Sequence, residues 1–226
     1  MTVEITRDQM TQLVDAVVSQ VKAQLQNGAP APAAPVATAP ASRPAPAVEA
    51  LSDGVFADME QAIQAAQHAY EELNRCSLTD RQAMVAAMRA AAQREAERLG
   101  RFAAEETGLG RASAKIQKIL LSARKTPGTE DLTPVAYTGD DGLTLVEPAP
   151  YGVVGAITPC TNPPSTIINN SISVVAAGNA IVFNPHPTAK GVSLETMRVL
   201  NRAIVEAGGP ANLLCAPAEP TLDTGE

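Results

Sequence analysis

Apolar residues recur along this chain with two distinct periods, and each period predicts a different kind of element. Near the start, Met10, Leu13, Val14, Val17, Val18, Val21 and Leu25 fall three or four residues apart, the spacing of one helical face. Thr6 with Gln9 has the form of a capping box, and Asn27-Gly28 is a stop signal, so residues 1–27 are expected to form an amphipathic helix. A lone helix of this length is marginal in water, and its apolar face therefore needs a partner. Residues 28–51 are rich in Ala and Pro and read as an extended, semi-rigid linker that detaches the helix from the remaining segment, residues 52–226.

Beyond the linker the helical period returns. Asp58 with Gln61 and Thr79 with Gln82 resemble capped starts, followed by Ile63, Ala66, Tyr70 and by Met84, Val85, Met88 on apolar faces. Arg81, Arg89, Arg94, Arg98 and Arg101 interleave with Glu95, Glu97, Glu105 and Glu106, which predicts a solvated face of mixed charge rather than an anion site. Residues 143–146 read as a strand before the Pro148-Ala149-Pro150 break.

From residue 151 the pattern changes to short apolar runs alternating with helices. Residues 151–157 are Val-rich and nearly continuous, as in a strand buried on both faces. Pro163 and Pro164 suit a first helical turn, and Gly178 suits the left-handed position after its end. Residues 180–183 form a second strand, which Asn184-Pro185-His186-Pro187 should end because prolines remove ladder donors. Val192, Met197, Leu200 and Ile204 place a helix over residues 188–207, Gly208-Gly209-Pro210 stops it, and residues 213–216 make a third strand. Strand, helix, strand, helix, strand predicts an α/β fold with a parallel, Rossmann-like sheet, whose ligands lie beyond the carboxyl ends of the strands.

Two polar loops fall at that edge, residues 158–162 and 184–187. Neither is G-x-G-x-x-G, so a dinucleotide pyrophosphate has no glycine turn at the first helix. Asn162 directly before Pro163 is a natural helix cap, and His186 between two prolines can cap loop backbone; both also suit ligand contact. The three cysteines show no metal spacing. Cys215 reads as a buried strand thiol, Cys76 lies in a turn between helices, and Cys160 sits on the first loop without an evident activating base.

Taken together, TPCTNPPSTIINN (158–170), AAGNAIVFNPHPTAK (176–190) and EAGGPANLLCAPAEPT (206–221) resemble the coenzyme-A-acylating aldehyde dehydrogenases of bacterial microcompartments, the ethanolamine-pathway acetaldehyde and propanediol-pathway propionaldehyde enzymes. ETGLGR (106–111), TPG (126–128) and TGDDGLTLVE (138–147) resemble the same family, and the likeness runs from about residue 55 onward. Several separated motifs in order make chance agreement improbable. The resemblance implies that a cysteine thiolate attacks a short aldehyde, that hydride passes to NAD, and that coenzyme A takes the acyl group.

On that resemblance Asn162 matches the oxyanion-hole asparagine, while Thr158, Pro159, Asn184, Pro185, His186 and Pro187 match positions lining the nucleotide groove. Asn184 stands where many non-acylating members of the superfamily carry a ribose-binding lysine, which suits the acylating branch. The family usually has serine in place of Cys160 and keeps its nucleophile in a later catalytic domain. The likeness accounts for roughly the first half of a family member, so the expectation is a partial nucleotide-binding domain with neither nucleophile nor dehydrogenase activity of its own. The resemblance further implies a homo-oligomer at full length, and an N-terminal helix that addresses the enzyme to a microcompartment shell protein by lying in a groove. Self-association of that helix, its folding back on the core, and a non-catalytic shell-docking or subunit-interaction module remain the alternatives.

Charge and composition narrow the partners. The net charge of −7 and the absence of Trp disfavour nucleic acid and anionic membrane surfaces. No apolar run approaches about 18 residues, and the start lacks a signal-peptide layout. The expected location is the cytoplasm, within the microcompartment lumen.

Overall fold

The computed structural model describes residues 53–221. The amphipathic helix expected over residues 1–27 and the linker expected over 28–51 lie outside the described residues.

A short strand β1 (Val55–Phe56) leads into helices α1 (Met59–Leu73), α2 (Leu78–Thr107) and α3 (Ala112–Lys125). An antiparallel hairpin follows, β2 (Val135–Gly139) and β3 (Gly142–Val146), and then the alternating region: β4 (Val153–Thr158), α4 (Pro163–Ala176), β5 (Ala180–Pro185), α5 (Lys190–Glu206) and β6 (Leu214–Pro217). The four strands outside the hairpin make one sheet in the order β1-β6-β5-β4, and every pairing in it is parallel. The expected α/β fold, a Rossmann-like parallel sheet preceded by helices, is therefore the one observed.

Helix starts follow local chemistry. Asp58 Oδ1 accepts from Gln61 N at 2.8 Å and begins α1. The second expected start is displaced: the cap of α2 is Ser77, whose hydroxyl accepts from Asp80 N while Asp80 accepts from Ser77 N, a complete capping box. Thr79 instead sits inside the first turn. Gly108 and Gly178 adopt left-handed φ of 65° and 82° just past α2 and α4, so both helices end where a side chain would be strained.

The core lies where α1, α2, α4 and α5 cover the sheet. Phe183, Ile181, Ile167, Ile168, Ile172, Met84, Met88 and Leu200 are all fully buried. β5 is buried along its whole length, as a central strand between β4 and β6 must be. β4 departs from the expectation of burial on both faces. It has no neighbour on its outer side among the described residues, and Ile157 is 74% exposed.

β5 also runs two residues further than its prolines suggested. At its end the bond to β4 is made by His186 N donating to Thr158 O, so the donor that Pro185 lacks is not required on that ladder. The hairpin stands apart, with Tyr137, Leu143 and Leu145 all more than half exposed.

The arginines of α2 divide into two groups. Arg98 pairs with Glu95 and Glu195, and Arg101 with Glu97, as a mixed-charge face requires. Arg81 and Arg89 act differently: Arg81 donates to Ala176 O at the end of α4, and Arg89 to Thr126 O and Glu130. These two tie α2 to neighbouring elements.

Candidate functional site

Parallel pairing of β4 with β5 sets the site. Ile157 lies opposite Asn184 and Thr158 opposite Pro185, so both polar loops leave the carboxyl edge of the sheet side by side. Of the residues singled out in the sequence, Thr158, Pro159 and Asn162 are on the first loop, and Asn184, Pro185, His186 and Pro187 are on the second.

Thr158 is buried, and its hydroxyl has no hydrogen-bond partner among the described residues. Asn184 is also buried; its Nδ2 donates to Thr221 O at 3.1 Å. His186 performs the capping role that the sequence allowed. Its Nδ1 accepts from Thr188 N at 3.2 Å and lies 2.9 Å from Thr188 Oγ1, which begins a 3-10 turn at Pro187–Ala189. With Nδ1 accepting, the neutral ring carries its proton on Nε2.

Asn162 occupies the cap position of α4, but its side chain makes no cap bond. Its backbone carbonyl accepts from Thr166 N and Thr166 Oγ1, while the carboxamide is held from another element: Lys118 Nζ of α3 donates to Asn162 Oδ1 at 2.8 Å. One turn earlier Lys115, itself buried, donates to Thr161 O at 3.0 Å. Burial, and then the neighbouring Lys118 charge, hold the Lys115 ammonium below its usual range. These lysines were missed in the sequence, although their three-residue spacing does put them on one helix face.

Neither helix start at this edge is open to a phosphate. Pro163 and Pro164 remove the first two N–H groups of α4. The start of α5 is occupied by Glu106, whose two carboxylate oxygens accept from Gly191 N and Val192 N at 2.7 Å each. The missing glycine turn and the filled helix start agree: this edge offers no backbone cradle for a pyrophosphate.

The cysteines are dispersed. Cys215 is fully buried in β6, its thiol pushed up to about 12 by burial, and Cys76 is raised by burial and then by the nearby Asp80. Cys160 packs against the core beside the Lys115 and Asn162 loop contacts. Among the described residues no group of His, Cys, Asp or Glu could hold a metal ion, and no helix is long and apolar enough to cross a membrane.

The parallel, Rossmann-like sheet presents a carboxamide on one strand-end loop and lacks a phosphate-binding glycine turn. The chain belongs to the aldehyde dehydrogenase family, whose model matches residues 39–223. It is 48% identical over 185 residues to the acetylating acetaldehyde dehydrogenase EutE of Salmonella typhimurium, a match that covers 82% of this chain and 39% of that protein. The CoA-propanoylating propanal dehydrogenase of the same organism is 42% identical over 82% of this chain and 39% of its own length. Among solved structures, a propionaldehyde dehydrogenase from the Clostridium phytofermentans fucose utilisation bacterial microcompartment superposes with a TM-score of 0.75 at 50% identity, over 76% of this chain and 40% of that one. The Rhodopseudomonas palustris propionaldehyde dehydrogenase with bound CoA and an acylated cysteine gives a TM-score of 0.75 at 46% identity, over 76% of this chain and 40% of that one. The chain thus spans about two-fifths of the length of these relatives.

Proposed function

We propose that this chain supplies the oxyanion asparagine and part of the nucleotide groove of an acylating aldehyde dehydrogenase, which converts acetaldehyde or propionaldehyde with CoA and NAD to acyl-CoA and NADH. The observation that carries the reading is the placement of Asn162: its carboxamide sits on the β4 loop, does not cap α4, and is held through its oxygen, so its NH2 remains to donate. A donor fixed where negative charge develops on a carbonyl oxygen is worth about a hundredfold or more in kcat. The close relatives, acetaldehyde and propanal dehydrogenases at 48% and 42% identity, support the substrate class. One methylene separates the two aldehydes, and a pocket discriminates such a pair only weakly.

Thr158 and Pro159 on one loop and Asn184, Pro185, His186 and Pro187 on the other would hold the adenosine portion of NAD or CoA. The buried, unpartnered Thr158 hydroxyl fits that role, because an orphaned donor and acceptor at a groove favours a polar ligand. When bound, NAD accepts the hydride and CoA accepts the acyl group. Neither Cys76 nor Cys215 is assigned the role of nucleophile. Cys215 is buried with a raised thiol and Cys76 is raised as well, the reverse of what a thiolate nucleophile requires.

A chimera tests the reading. With this chain in place of the matching 39% of the Salmonella acetaldehyde dehydrogenase, CoA-dependent NADH formation should persist, and Asn162→Ala in the chimera should lower kcat about a hundredfold with a smaller change in KM. A folded, assembled chimera without acylating activity, or one indifferent to Asn162→Ala, would sink it.

The microcompartment setting belongs to the same proposal. Residues 1–27 carry an apolar helical stripe and precede an Ala/Pro-rich linker, the form of a segment that docks in a groove of a shell protein. The Clostridium phytofermentans relative, a microcompartment enzyme, supports that setting. Deleting residues 1–26 should abolish encapsulation of a fluorescent fusion; unchanged encapsulation would count decisively against it.

A further inference from the structure

The asparagine proposed to stabilise the oxyanion has a carboxamide, and a carboxamide has two ends. Only its NH2 can donate to a developing oxyanion, so an amide free to flip would present the wrong end for much of the time. Two features of the site bear on this. Asn162 Nδ2 has only a 3.5 Å approach to Thr161 Oγ1, at the limit of a hydrogen bond, so the loop itself does little to orient the group. Lys118 Nζ, in contrast, lies 2.8 Å from Asn162 Oδ1. An ammonium has three donors and no acceptor, so it pairs with the carbonyl end and repels the NH2 end.

The backbone beneath is fixed by the same helix. Lys115, three residues earlier on α3, is buried and donates to Thr161 O at 3.0 Å, which anchors the peptide preceding Asn162. The helix that carries both lysines is itself seated, with Ile119 and Ala123 fully buried against the core. α3 therefore holds the loop at two points, one on the main chain of Thr161 and one on the side chain of Asn162.

We infer that Lys118 is a positioning residue that selects the amide orientation of Asn162, with Lys115 fixing the loop on which that amide turns. The inference deepens the oxyanion reading and rests on it for its catalytic meaning, whereas the Lys118–Asn162 contact can be tested alone. It makes a graded prediction, because the chemistry of position 118 alone decides which end of the amide is held. Arginine donates and keeps the native orientation; methionine holds neither end; glutamate accepts, and reverses the amide by accepting a hydrogen bond from Nδ2.

The experiment is 15N NMR of the side-chain NH2 group of Asn162 in the full 226-residue chain, assigned by its disappearance in Asn162→Asp. Lys118→Arg should leave the two NH2 proton signals near their native positions. Lys118→Met should move them toward the values of a mobile, solvated amide, and Lys118→Glu should shift one of them downfield as it donates to the carboxylate. Backbone signals of Ile181 and Cys215, far from the loop, report that each variant is folded. Lys118→Gln serves in place of either variant that is not, and should give the two orientations in exchange. NH2 signals that are the same in the native chain and in the Met, Gln and Glu variants would overturn the inference.

A kinetic arm separates this from the reading beneath it. In the chimera, Lys118→Met should lower kcat by the order of tenfold and Lys118→Glu by more, with KM for the aldehyde changed little. If Asn162→Ala leaves kcat intact, the oxyanion reading fails while the NMR comparison still decides the contact. If Asn162→Ala is crippling and the Lys118 variants change neither kcat nor the NH2 signals, only the positioning role fails.

Discussion

Glu106, the penultimate residue of α2, accepts the backbone N–H of Gly191 at 2.7 Å, and its second oxygen takes the N–H of Val192 at the same distance. One carboxylate thus satisfies two of the orphan donors that begin α5 and meets the positive end of that helix. The contact joins residues 85 positions apart and leaves no room between them: a Cβ on Gly191 would lie 2.7 Å from Glu106 Oε1 and 3.1 Å from Phe102 Cζ. The glutamate is therefore a structural anion in the place where many nucleotide domains receive a phosphate.

Glu106→Ala should cost about 1–2 kcal/mol of stability, the scale of a lost helix cap with charge assistance. Gly191→Ala should cost a similar amount by pushing the carboxylate away. Because both changes break one contact, the double variant should be less destabilised than the sum of the two, which urea unfolding of all four proteins would measure. Strict additivity would show that the two residues act independently.

A second contact ties the first strand to the last. Asn201, buried on α5, donates through Nδ2 to both Asp53 O and Leu214 O and accepts from Leu214 N. Asn201→Leu keeps the volume but leaves Leu214 N and two carbonyls without partners, a loss of about 3 kcal/mol. Gly54 lies against the same carbonyl with φ of 90°, and a Cβ there would fall 2.0 Å from Leu214 O. Gly54→Ala should therefore match or exceed that loss, and thermal melts showing either variant within 0.5 kcal/mol of the native chain, roughly the reach of an ordinary surface change, would contradict the assignment.

The sequence revealed what depends on local pattern. Period and punctuation located α4, α5, β5 and β6 to within two residues, because Gly, Pro and apolar spacing act within a few positions of themselves. The start of α2 was misplaced by two residues because Ser77-x-x-Asp80 is a weaker written signal than Thr79-x-x-Gln82, yet Asp80 closes the box geometrically. Strand β1 was missed: two residues carry no period, and their pairing with Ala216 and Pro217 is decided 161 positions away. At the site, both loops were legible as polar breaks after strands. The partners that define them were not, since Lys118 and Lys115 reach Asn162 and Thr161 from α3, more than 40 residues earlier.

Alkaline stability follows from Cys215. Burial raises its thiol from an ordinary value near 9 to about 12, so above pH 9 the unfolded chain ionises this group while the folded one keeps it neutral. The unfolded state then holds fewer protons, and folding stability falls as pH rises from about 9 toward 12, by up to about 1.4 kcal/mol per pH unit. Cys215→Ala, which loses the thiol and its 3.1 Å contact with Asn212 O, should start less stable at neutral pH but show a flatter alkaline limb. Parallel slopes for the two proteins between pH 9 and 11 would refute the assignment.

Thr158 separates a groove residue from a core residue. Its hydroxyl is buried at the end of β4 without a hydrogen-bond partner among the described residues, an arrangement that costs stability unless a ligand uses it. Thr158→Val preserves shape and removes that hydroxyl, so the folded protein should be unchanged or more stable by up to about 1 kcal/mol. Nucleotide binding should move the other way, with NADH or CoA affinity in the chimera reduced about fivefold, the equivalent of one lost neutral hydrogen bond. Opposite signs for the two measurements would mark a polar group held ready for a ligand, whereas a destabilised variant with intact affinity would return Thr158 to the core.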